Sequence, residues 1–294
     1  MLAIVIPYYK ETFFEGTLNS LANQTNKNFK VYIGDDDSPT NPDEILAKYK
    51  NQFDFVYKKF QFNIGATSLV KQWNRCIDLI IDEQWILILG DDDTLDKNVV
   101  ELFYKNFELF NSYNVVRFAS QKIDESGKSI SQIYFNPIIE HTIDFVFRET
   151  RSSLSEYVFR RSQIDNIGFK NFPLAWFSDV LAVIEFSDFK EIYSINDAII
   201  NVRMSSENIS GKTNNYKLKS QATFEFYYYL LNRKNMFFSN KQIVVLLSKL
   251  TKSYLNDKKQ ITHFLKLSKI YLTNFIFIGY FKFISTFVLK IIKK

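Results

Sequence analysis

Residues 1–111 alternate between short strand-like runs and amphipathic segments, and this alternation restricts the fold more than any other feature of the chain. The run at residues 2–6 is wholly apolar and ends at Pro7, which is typical of a strand buried on both faces of a sheet. Three more runs begin at Phe29, Phe53 and Trp85, and segments with helical spacing of apolar residues separate them. Four strand–helix repeats predict a mostly parallel α/β sheet with helices on both faces and right-handed crossovers.

Polar clusters follow the ends of these predicted strands. The first strand leads into Pro7-Tyr8-Tyr9, the second into Asp35-Asp36-Asp37 and the fourth into Asp91-Asp92-Asp93, while Asn63-Ile64-Gly65 forms a turn before the third helix. Ligands of open parallel sheets bind at the carboxyl ends of the strands. We therefore expect these four segments to contribute to one site.

Each aspartate triple has two interpretations. Three adjacent carboxylates repel one another unless a cation or solvent compensates, and oxygen ligands suit Mg²⁺ or Mn²⁺, which keep open positions for phosphate oxygens. Alternatively, Asp91–Asp93 is a solvated turn before a helix, and Asp37-Ser38-Pro39 is favourable turn chemistry. Two triples at neighbouring strand ends favour a site, in which an acid of Asp35–Asp37 would accept a hydrogen bond from a nucleobase N–H.

The alternation ends after residue 112, and elements of other kinds are predicted beyond it. The expected order is a strand at 115–123, a hairpin turn at 124–128, its partner strand at 129–135, a strand at 156–160, a turn and helix within 172–186, and a strand at 192–203. Helical patterns follow Gly211. We thus predict an α/β domain at residues 1–210 and a helical C-terminal region at 211–294.

The scarcity of cysteine and histidine narrows the possible chemistry. Cys76 is the single cysteine, which excludes a disulfide scaffold and a multi-cysteine metal site. His141 and His263 are far apart in the sequence, which argues against a histidine zinc centre and most Ser-His-Asp arrangements. The charge is uneven, because residues 241–294 carry eleven lysines and one acid whereas the rest of the chain is net negative.

The basic tail at residues 261–294 combines Phe, Ile, Leu and Tyr with regularly placed lysines. Such a segment favours the headgroup layer of an anionic membrane, although packing on the rest of the chain or on a second copy is the alternative. Its charge does not form a stripe with base-reading side chains, so no nucleic-acid partner is expected. The N-terminus lacks the pattern of an export signal, and the predicted location is the cytoplasm, at the inner face of the plasma membrane.

Four motifs, in their order and spacing, resemble the family 2 glycosyltransferases, which have the GT-A fold. They are Ile4–Tyr9, Gly34–Ser38, Asn63–Gly65 and Leu89–Asp93, and the resemblance covers about residues 1–210. The family transfers a sugar from a nucleotide-diphosphate donor with inversion at the anomeric carbon, using a divalent metal. The resemblance therefore implies a UDP-sugar as donor and Mn²⁺ or Mg²⁺ as cofactor.

The resemblance implies a nucleoside pocket built from the first three motifs. Pro7 and Tyr9 would line this pocket. Asp36, the second acid of the family's Asp-Asp pair, would bind the base. Asn63 and Gly65 match the Asn-x-Gly turn beside the base.

The fourth motif matches the family's DxD region. By the resemblance, Asp93 would be the metal ligand, Asp92 would contact the ribose or the metal, and Asp91 would also bind the nucleotide sugar. Gly90 stands where many members have the first acid of an Asp-x-Asp-Asp sequence.

Two later segments are implied on the acceptor and phosphate side. Trp176-Phe177-Ser178-Asp179 resembles the family's acidic motif, so Asp179 would be the base that removes the acceptor hydroxyl proton, with helix capping as its alternative role. Arg203, at the start of the segment 203–210, would neutralise the leaving diphosphate, with a surface salt bridge as its alternative.

These features together predict inverting, metal-dependent sugar transfer to a saccharide or lipid-linked acceptor in bacterial surface-polysaccharide synthesis. Two other classes remain open. A nucleotidyltransferase acting on sugar phosphates usually has a Gly-rich phosphate loop near its first strand, and Pro7–Lys10 is not such a loop. A non-catalytic sugar-binding protein would have little reason to retain both aspartate triples and Asp179.

Overall fold

The structure, a computed structural model, describes residues 1–148, 152–206, 215–256 and 260–292, with side chains up to residue 289. The chain forms two compact units. The first consists of Met1–Asn171 and Ser178–Lys212, and the second of Phe172–Phe177 and Thr213–Lys294. The domain boundary predicted between residues 210 and 211 falls outside the described residues.

Nine strands among the described residues of the first unit form one mixed sheet. In chain order they are β1 (Leu2–Tyr8), β2 (Phe29–Asp35), β3 (Asp54–Lys59), β4 (Trp85–Ile88), β5 (Thr94–Leu95), β6 (Val115–Ile123), β7 (Ile139–His141), β8 (Tyr157–Arg160) and β9 (Glu191–Arg203). Their order across the sheet is β3-β2-β1-β4-β8-β6-β9-β5, with β7 paired to β9. Strands β3, β2, β1 and β4 are mutually parallel, whereas β8 lies antiparallel between β4 and β6.

Helices connect these strands and cover the sheet. Those described in the first unit are α1 (Phe14–Ala22), α2 (Asp43–Tyr49), α3 (Leu69–Ile77), α4 (Val99–Lys105), α5 (Phe107–Phe110), α6 (Thr142–Phe147), α7 (Arg161–Ile167) and α8 (Ser178–Phe186). Ser68 begins α3 by accepting a hydrogen bond from the Lys71 amide at 3.2 Å. Large aromatic side chains fill the core beside β1 and β4, where Trp85 packs edge-on against Phe110 with ring centroids 5.4 Å apart.

The register of the first strands places their carboxyl ends side by side. Tyr8 lies opposite Asp35, and Val5 lies opposite Ile88. The Asp36 amide continues this pairing by donating to the Tyr8 carbonyl at 2.9 Å. The segments that follow β1, β2 and β4 therefore leave the sheet at one edge, where the polar clusters begin.

Two predicted elements differ from the observed ones because polar side chains compete with the backbone. The predicted strand at 129–135 forms only isolated bridges with β6, and the Ser131 hydroxyl takes the Lys122 amide that a regular ladder would use. The predicted helix at 98–111 is divided between α4 and α5 at Asn106, whose side-chain amide donates to the Leu102 carbonyl. Elements β5, β7, α6 and α7 were not predicted.

The described residues of the second unit are mainly helical. They form α9 (Tyr216–Arg233), α10 (Asn240–Asn256), α11 (Ile261–Thr273) and α12 (Phe277–Ile292). Aromatic rings join these helices, as where the buried His263 stacks on Phe224 with ring centroids 4.0 Å apart. None of the helices described is both long enough and apolar enough to span a bilayer.

Candidate functional site

Asp35, the last residue of β2, organises the turn that follows the strand. Its fully buried carboxylate accepts hydrogen bonds from the Ser38 amide at 2.7 Å and from the Tyr57 hydroxyl at 2.6 Å. Burial and this bond to a carboxylate raise the pKa of Tyr57 above its ordinary value. The first acid of the triple is thus a structural residue, and the next residue, Asp36, is the one that reaches the loop before α3.

Asp36 and the Asn63–Gly65 turn, predicted separately, lie in contact. The Asp36 carboxylate accepts hydrogen bonds from the amides of Ile64 and Gly65, both at 2.9 Å. A Cβ atom at Gly65 would collide with Asp36 Oδ2, so only glycine allows this close approach. The Asn63 side chain closes the turn by accepting the Ala66 amide at 2.9 Å. Burial raises the pKa of Asp36, and these amide donors oppose the shift.

Arg75 on α3 completes the Asp36 cluster, and no motif in the sequence marks it. Its guanidinium forms an ion pair with the Asp36 carboxylate and donates to the Phe62 carbonyl at 3.0 Å. The guanidinium also lies over the Phe60 ring, 4.0 Å from the ring centroid. A carboxylate has about four lone-pair sites, so after three donors Asp36 retains capacity for one further N–H.

Tyr9 and Asp91 join the ends of β1 and β4. Asp91 Oδ2 accepts the amides of Tyr9 and Lys10 at 2.9 and 2.8 Å, and the Ser38 hydroxyl donates to the Tyr9 carbonyl at 2.8 Å. The Tyr9 side chain is exposed, and Pro7 is paired opposite Gly34. The clusters after β1, β2 and β4 are therefore hydrogen-bonded to one another at one edge of the sheet.

Both oxygens of the Asp93 carboxylate accept hydrogen bonds from other residues of the chain. Oδ1 accepts the Arg203 amide at 2.9 Å, and Oδ2 accepts the Ser155 hydroxyl at 2.6 Å. The Thr17 hydroxyl, from α1, contacts the carbonyls of Asp91 and Asp93 at 3.1 and 2.8 Å. Asp93 is buried, and the backbone of the acidic loop is thus fixed from three directions.

Asp92 differs from its two neighbours. Within the described part of the chain, no donor from another residue contacts its carboxylate, which is only partly buried. Burial and repulsion from Asp93 and Asp91 raise the pKa of Asp92 to about 8. A Cβ atom at Gly90 would lie 2.9 Å from Asp92 Oδ1, so a larger residue at position 90 would require the Asp92 side chain to shift.

The chemistry of this loop fits a hard divalent cation shared with a ligand. The described residues contain no group of three or more His, Cys, Asp or Glu side chains arranged as a protein cage for a metal. Mg²⁺ is usually held by only one or two carboxylates, with water and substrate phosphates completing its shell. Burial and the neighbouring carboxylates of Asp93 and Asp91 raise the pKa of Asp92 because they disfavour its charged form, and a bound cation would offset that cost.

Arg203, at the end of β9, donates to backbone carbonyls. Its side chain contacts the carbonyls of Asp92 at 2.9 Å, Asp124 at 2.7 Å and Glu125 at 3.1 Å, and it lies over the Phe13 ring. These contacts join the acidic loop to the turn after β6. The predicted role of Arg203 at a diphosphate stays a prediction. Residues 207–210 of the predicted phosphate segment lie outside the described residues.

Asp179 lies in the first turn of α8 and is partly buried. The Ser152 hydroxyl is 3.4 Å from Asp179 Oδ2 and 2.9 Å from the Tyr157 hydroxyl. Three residues after Ser152, Ser155 contacts Asp93. The segment that precedes β8 therefore touches both predicted carboxylates, although nothing in its local sequence distinguishes it.

The structure is similar to solved structures of S. aureus TarS, and this chain and TarS therefore share a fold. The complex of TarS 1-349 with UDP-GlcNAc matches at 16% identity with a TM-score of 0.65, over 92% of this chain and 79% of that one. The complex of TarS 1-349 with UDP matches at 16% identity with a TM-score of 0.58, over 92% of this chain and 82% of that one. No curated protein sequence matches the chain significantly.

The sequence profile described as glycosyl transferase family 2 matches residues 3–180, which contain the clusters after β1, β2 and β4 and extend to Asp179. This match covers more than half of the chain. It favours a glycosyltransferase over the nucleotidyltransferase and over the non-catalytic sugar-binding protein. The chain belongs to glycosyl transferase family 2 and is a glycosyltransferase.

Proposed function

We propose that this enzyme transfers a sugar from a UDP-sugar to an acceptor hydroxyl, with a divalent cation and with inversion at the anomeric carbon. The observation that carries the proposal is the joining of the Asp36 cluster and the Asp91–Asp93 loop at one sheet edge by hydrogen bonds through Tyr9 and Ser38. The Asp36 cluster offers a hydrogen-bond acceptor to a nucleobase. The Asp91–Asp93 loop offers carboxylate ligands to a cation bound to a diphosphate.

In this proposal the donor nucleoside lies beside Asp36. The remaining acceptor capacity of Asp36 would receive a nucleobase N–H, while Tyr9 and Pro7 would line the pocket. Arg75 and the amides of the Asn63–Gly65 turn would keep the carboxylate ionised and oriented. The UDP-GlcNAc and UDP complexes of TarS, which has the same fold, support a uridine nucleotide.

We assign the cation to Asp92 in place of Asp93. Asp93 Oδ1 and Oδ2 already accept Arg203 and Ser155, whereas the carboxylate of Asp92 has no such donor among the described residues. When bound, Mn²⁺ or Mg²⁺ would act as a Lewis acid that stabilises the leaving diphosphate. Asp93 would then hold the loop in shape, and Asp91 would hold the end of β1.

Asp179 is the proposed base. The acceptor oxygen attacks the anomeric carbon from the face opposite the diphosphate, the bond to the diphosphate oxygen breaks, and the acceptor proton passes to the Asp179 carboxylate. One displacement inverts the anomeric configuration, and it needs no covalent nucleophile. The acceptor in this proposal is a saccharide or lipid-linked hydroxyl of surface-polysaccharide synthesis.

Calorimetric titration with a panel of nucleotides tests this function. We expect UDP or a UDP-sugar to bind at least about tenfold more tightly in Mn²⁺ than in EDTA, a difference of about 1.4 kcal/mol. The matching CDP and GDP compounds serve as controls for the base. If no nucleotide binds more tightly when metal is present, the proposed function is wrong.

We also propose that the second unit contacts an anionic membrane through the hairpin tip, defined as residues 272–282. Phe275, Ile278 and Phe281 are 78%, 89% and 71% exposed, and Lys269 and Lys282 are exposed beside them. Residues 260–292 contain no acidic side chain. Exposed aromatic and aliphatic groups next to uncompensated lysines suit the headgroup layer of anionic lipids.

Vesicle flotation tests the hairpin tip. We expect the full chain to bind phosphatidylcholine vesicles containing phosphatidylglycerol, and the combined Phe275→Ser, Ile278→Ser and Phe281→Ser variant to lose about tenfold or more in binding. Met236→Ser is the control, because Met236 is 82% exposed in the same unit outside the tip. If the triple variant binds vesicles as well as the original chain does, the proposal is contradicted. It is also contradicted if the original chain binds no vesicles but forms dimers at high concentration, and the triple variant does not.

A further inference from the structure

Ser155 contacts the acidic loop from a segment that no sequence motif marks. It lies in the 3-10 turn Leu154–Glu156, immediately before β8, and it is buried. A serine hydroxyl has one proton, and this proton is directed to Asp93 Oδ2 at 2.6 Å. The Ser155 hydroxyl oxygen therefore accepts the hydrogen bond from the Gly90 amide, 3.2 Å away.

These two bonds join the beginning and the end of the loop Gly90–Asp93. The loop is also closed by the Asp93 amide, which donates to the Gly90 carbonyl at 3.3 Å. With both ends held, the Asp92 side chain is presented from a loop whose backbone has little freedom. Among the described residues, no donor from another residue contacts the Asp92 carboxylate, so a small movement of this loop would change where a bound cation sits.

The segment that carries Ser155 also reaches the proposed base. Ser152 contacts Asp179 Oδ2, and the hydroxyls of Ser152 and Tyr157 lie within hydrogen-bonding distance of each other. Tyr157 belongs to β8, which is paired to β4 on one side and β6 on the other. The segment is therefore anchored in the middle of the sheet, and Ser152 and Ser155 contact one carboxylate each.

We propose that Ser155 is a positioning residue for sugar transfer, acting by holding Asp93 and the Gly90 amide so that Asp92 is presented to the cation-bound diphosphate. This proposal rests on the proposed function. It assigns no contact between Ser155 and the substrate. Its effect should therefore appear in the metal-dependent step and not in binding of the nucleoside.

The test compares Ser155→Thr with Ser155→Val, two variants of nearly equal shape that differ in the hydroxyl group. We expect the valine variant to lose on the order of tenfold or more in kcat, as loss of a hydrogen bond to a charged group commonly produces, with KM for the donor within about threefold. The threonine variant, which keeps the hydroxyl group, should retain most of the original kcat. In calorimetry, UDP affinity in EDTA should be unchanged in the valine variant, while the gain produced by Mn²⁺ should shrink.

Ser187→Ala is the matched control, because Ser187 is equally buried and its hydroxyl donates to the Ile184 carbonyl of the preceding helix α8, away from the acidic loop. Thermal unfolding shows which variants fold, and Ser155→Ala replaces the valine variant if the latter does not fold. Equal kcat in the threonine and valine variants would overturn the proposal, whether both are active or both impaired. If the original chain binds UDP no more tightly in Mn²⁺ than in EDTA, the proposed function is contradicted instead.

Discussion

Replacement of Asp179 by asparagine is expected to reduce the transfer rate by about 10²- to 10⁴-fold, the contribution typical of a positioned general base. Asparagine keeps the size of the side chain but cannot take the acceptor proton at neutral pH. Donor binding does not depend on this proton transfer, so the donor Kd should stay within about threefold. Steady-state kinetics and calorimetric titration with UDP measure the two quantities separately.

Asp165→Asn is the control for this substitution. Asp165 is an exposed acid on α7 that forms an i,i+4 pair with Arg161 at 3.6 Å, so its loss should change neither rate nor affinity measurably. An active Asp179→Asn enzyme would contradict the assignment of Asp179 as the base. A variant that loses donor affinity in parallel with rate would place Asp179 on the donor side of the site.

Replacement of Asp92 by asparagine is expected to remove the metal dependence of nucleotide binding. We expect Mn²⁺ affinity in the presence of UDP to fall by about 100-fold or more, since even indirect ligand partners commonly contribute 10- to 100-fold. UDP affinity in EDTA should stay close to that of the original chain. Calorimetry with and without Mn²⁺ gives both values, and an unchanged metal effect would return the metal assignment to Asp93.

The same substitution has a pH-dependent effect on stability. The folded-state pKa of Asp92 is about 8, above its unfolded value, because burial and the two neighbouring carboxylates disfavour its charge. The favourable contribution of Asp92 to the free energy of unfolding is fully present below about pH 4 and is lost as the pH rises through about 8. In EDTA, Asp92→Asn should therefore raise Tm relative to the original chain, and the difference should increase from about pH 5 to about pH 8. A difference independent of pH would contradict this account.

Asp93→Asn provides the contrast, because Asp93 lies in a buried network. An amide in place of the carboxylate would direct an N–H towards the donors that Arg203 and Ser155 now present. We expect a loss of about 1–3 kcal/mol in the free energy of unfolding, visible as a lower Tm with or without metal. Stability and metal binding thus separate the two adjacent acids.

Local patterns in the sequence predicted much of the first unit. Apolar runs with flanking helical periodicity located β1, β2, β3 and β4, because these elements depend on which residues must be buried at short spacing. The short strand β7 and the helices α6 and α7 were missed. β7 has three residues, and α6 and α7 have six and seven, so the periodicity of their apolar residues is too brief to be recognised.

Glycines and turn residues near the site were also informative. Gly65 was noticed through a motif, and the structure explains it by the approach of its backbone to Asp36. Arg75 and Ser155 were not found, because each acts on an acid that is distant in the chain. Arg75 is 39 residues from Asp36, and Ser155 is 62 residues from Asp93.

The sequence alone determined where acids would accumulate, since strand ends and turns are local features set by apolar patterning and by turn chemistry. Only the tertiary structure decided how the contacts of five aspartates differ, namely Asp35, Asp36, Asp91, Asp92 and Asp93. The role of a carboxylate depends on which donors surround it, and those donors come from distant segments. Asp93 accepts a hydrogen bond from an amide 110 residues away. Asp92 beside it has a raised pKa because of burial and repulsion from Asp93 and Asp91. Burial and long-range hydrogen bonds, which no local pattern encodes, make neighbouring residues of the same type chemically different.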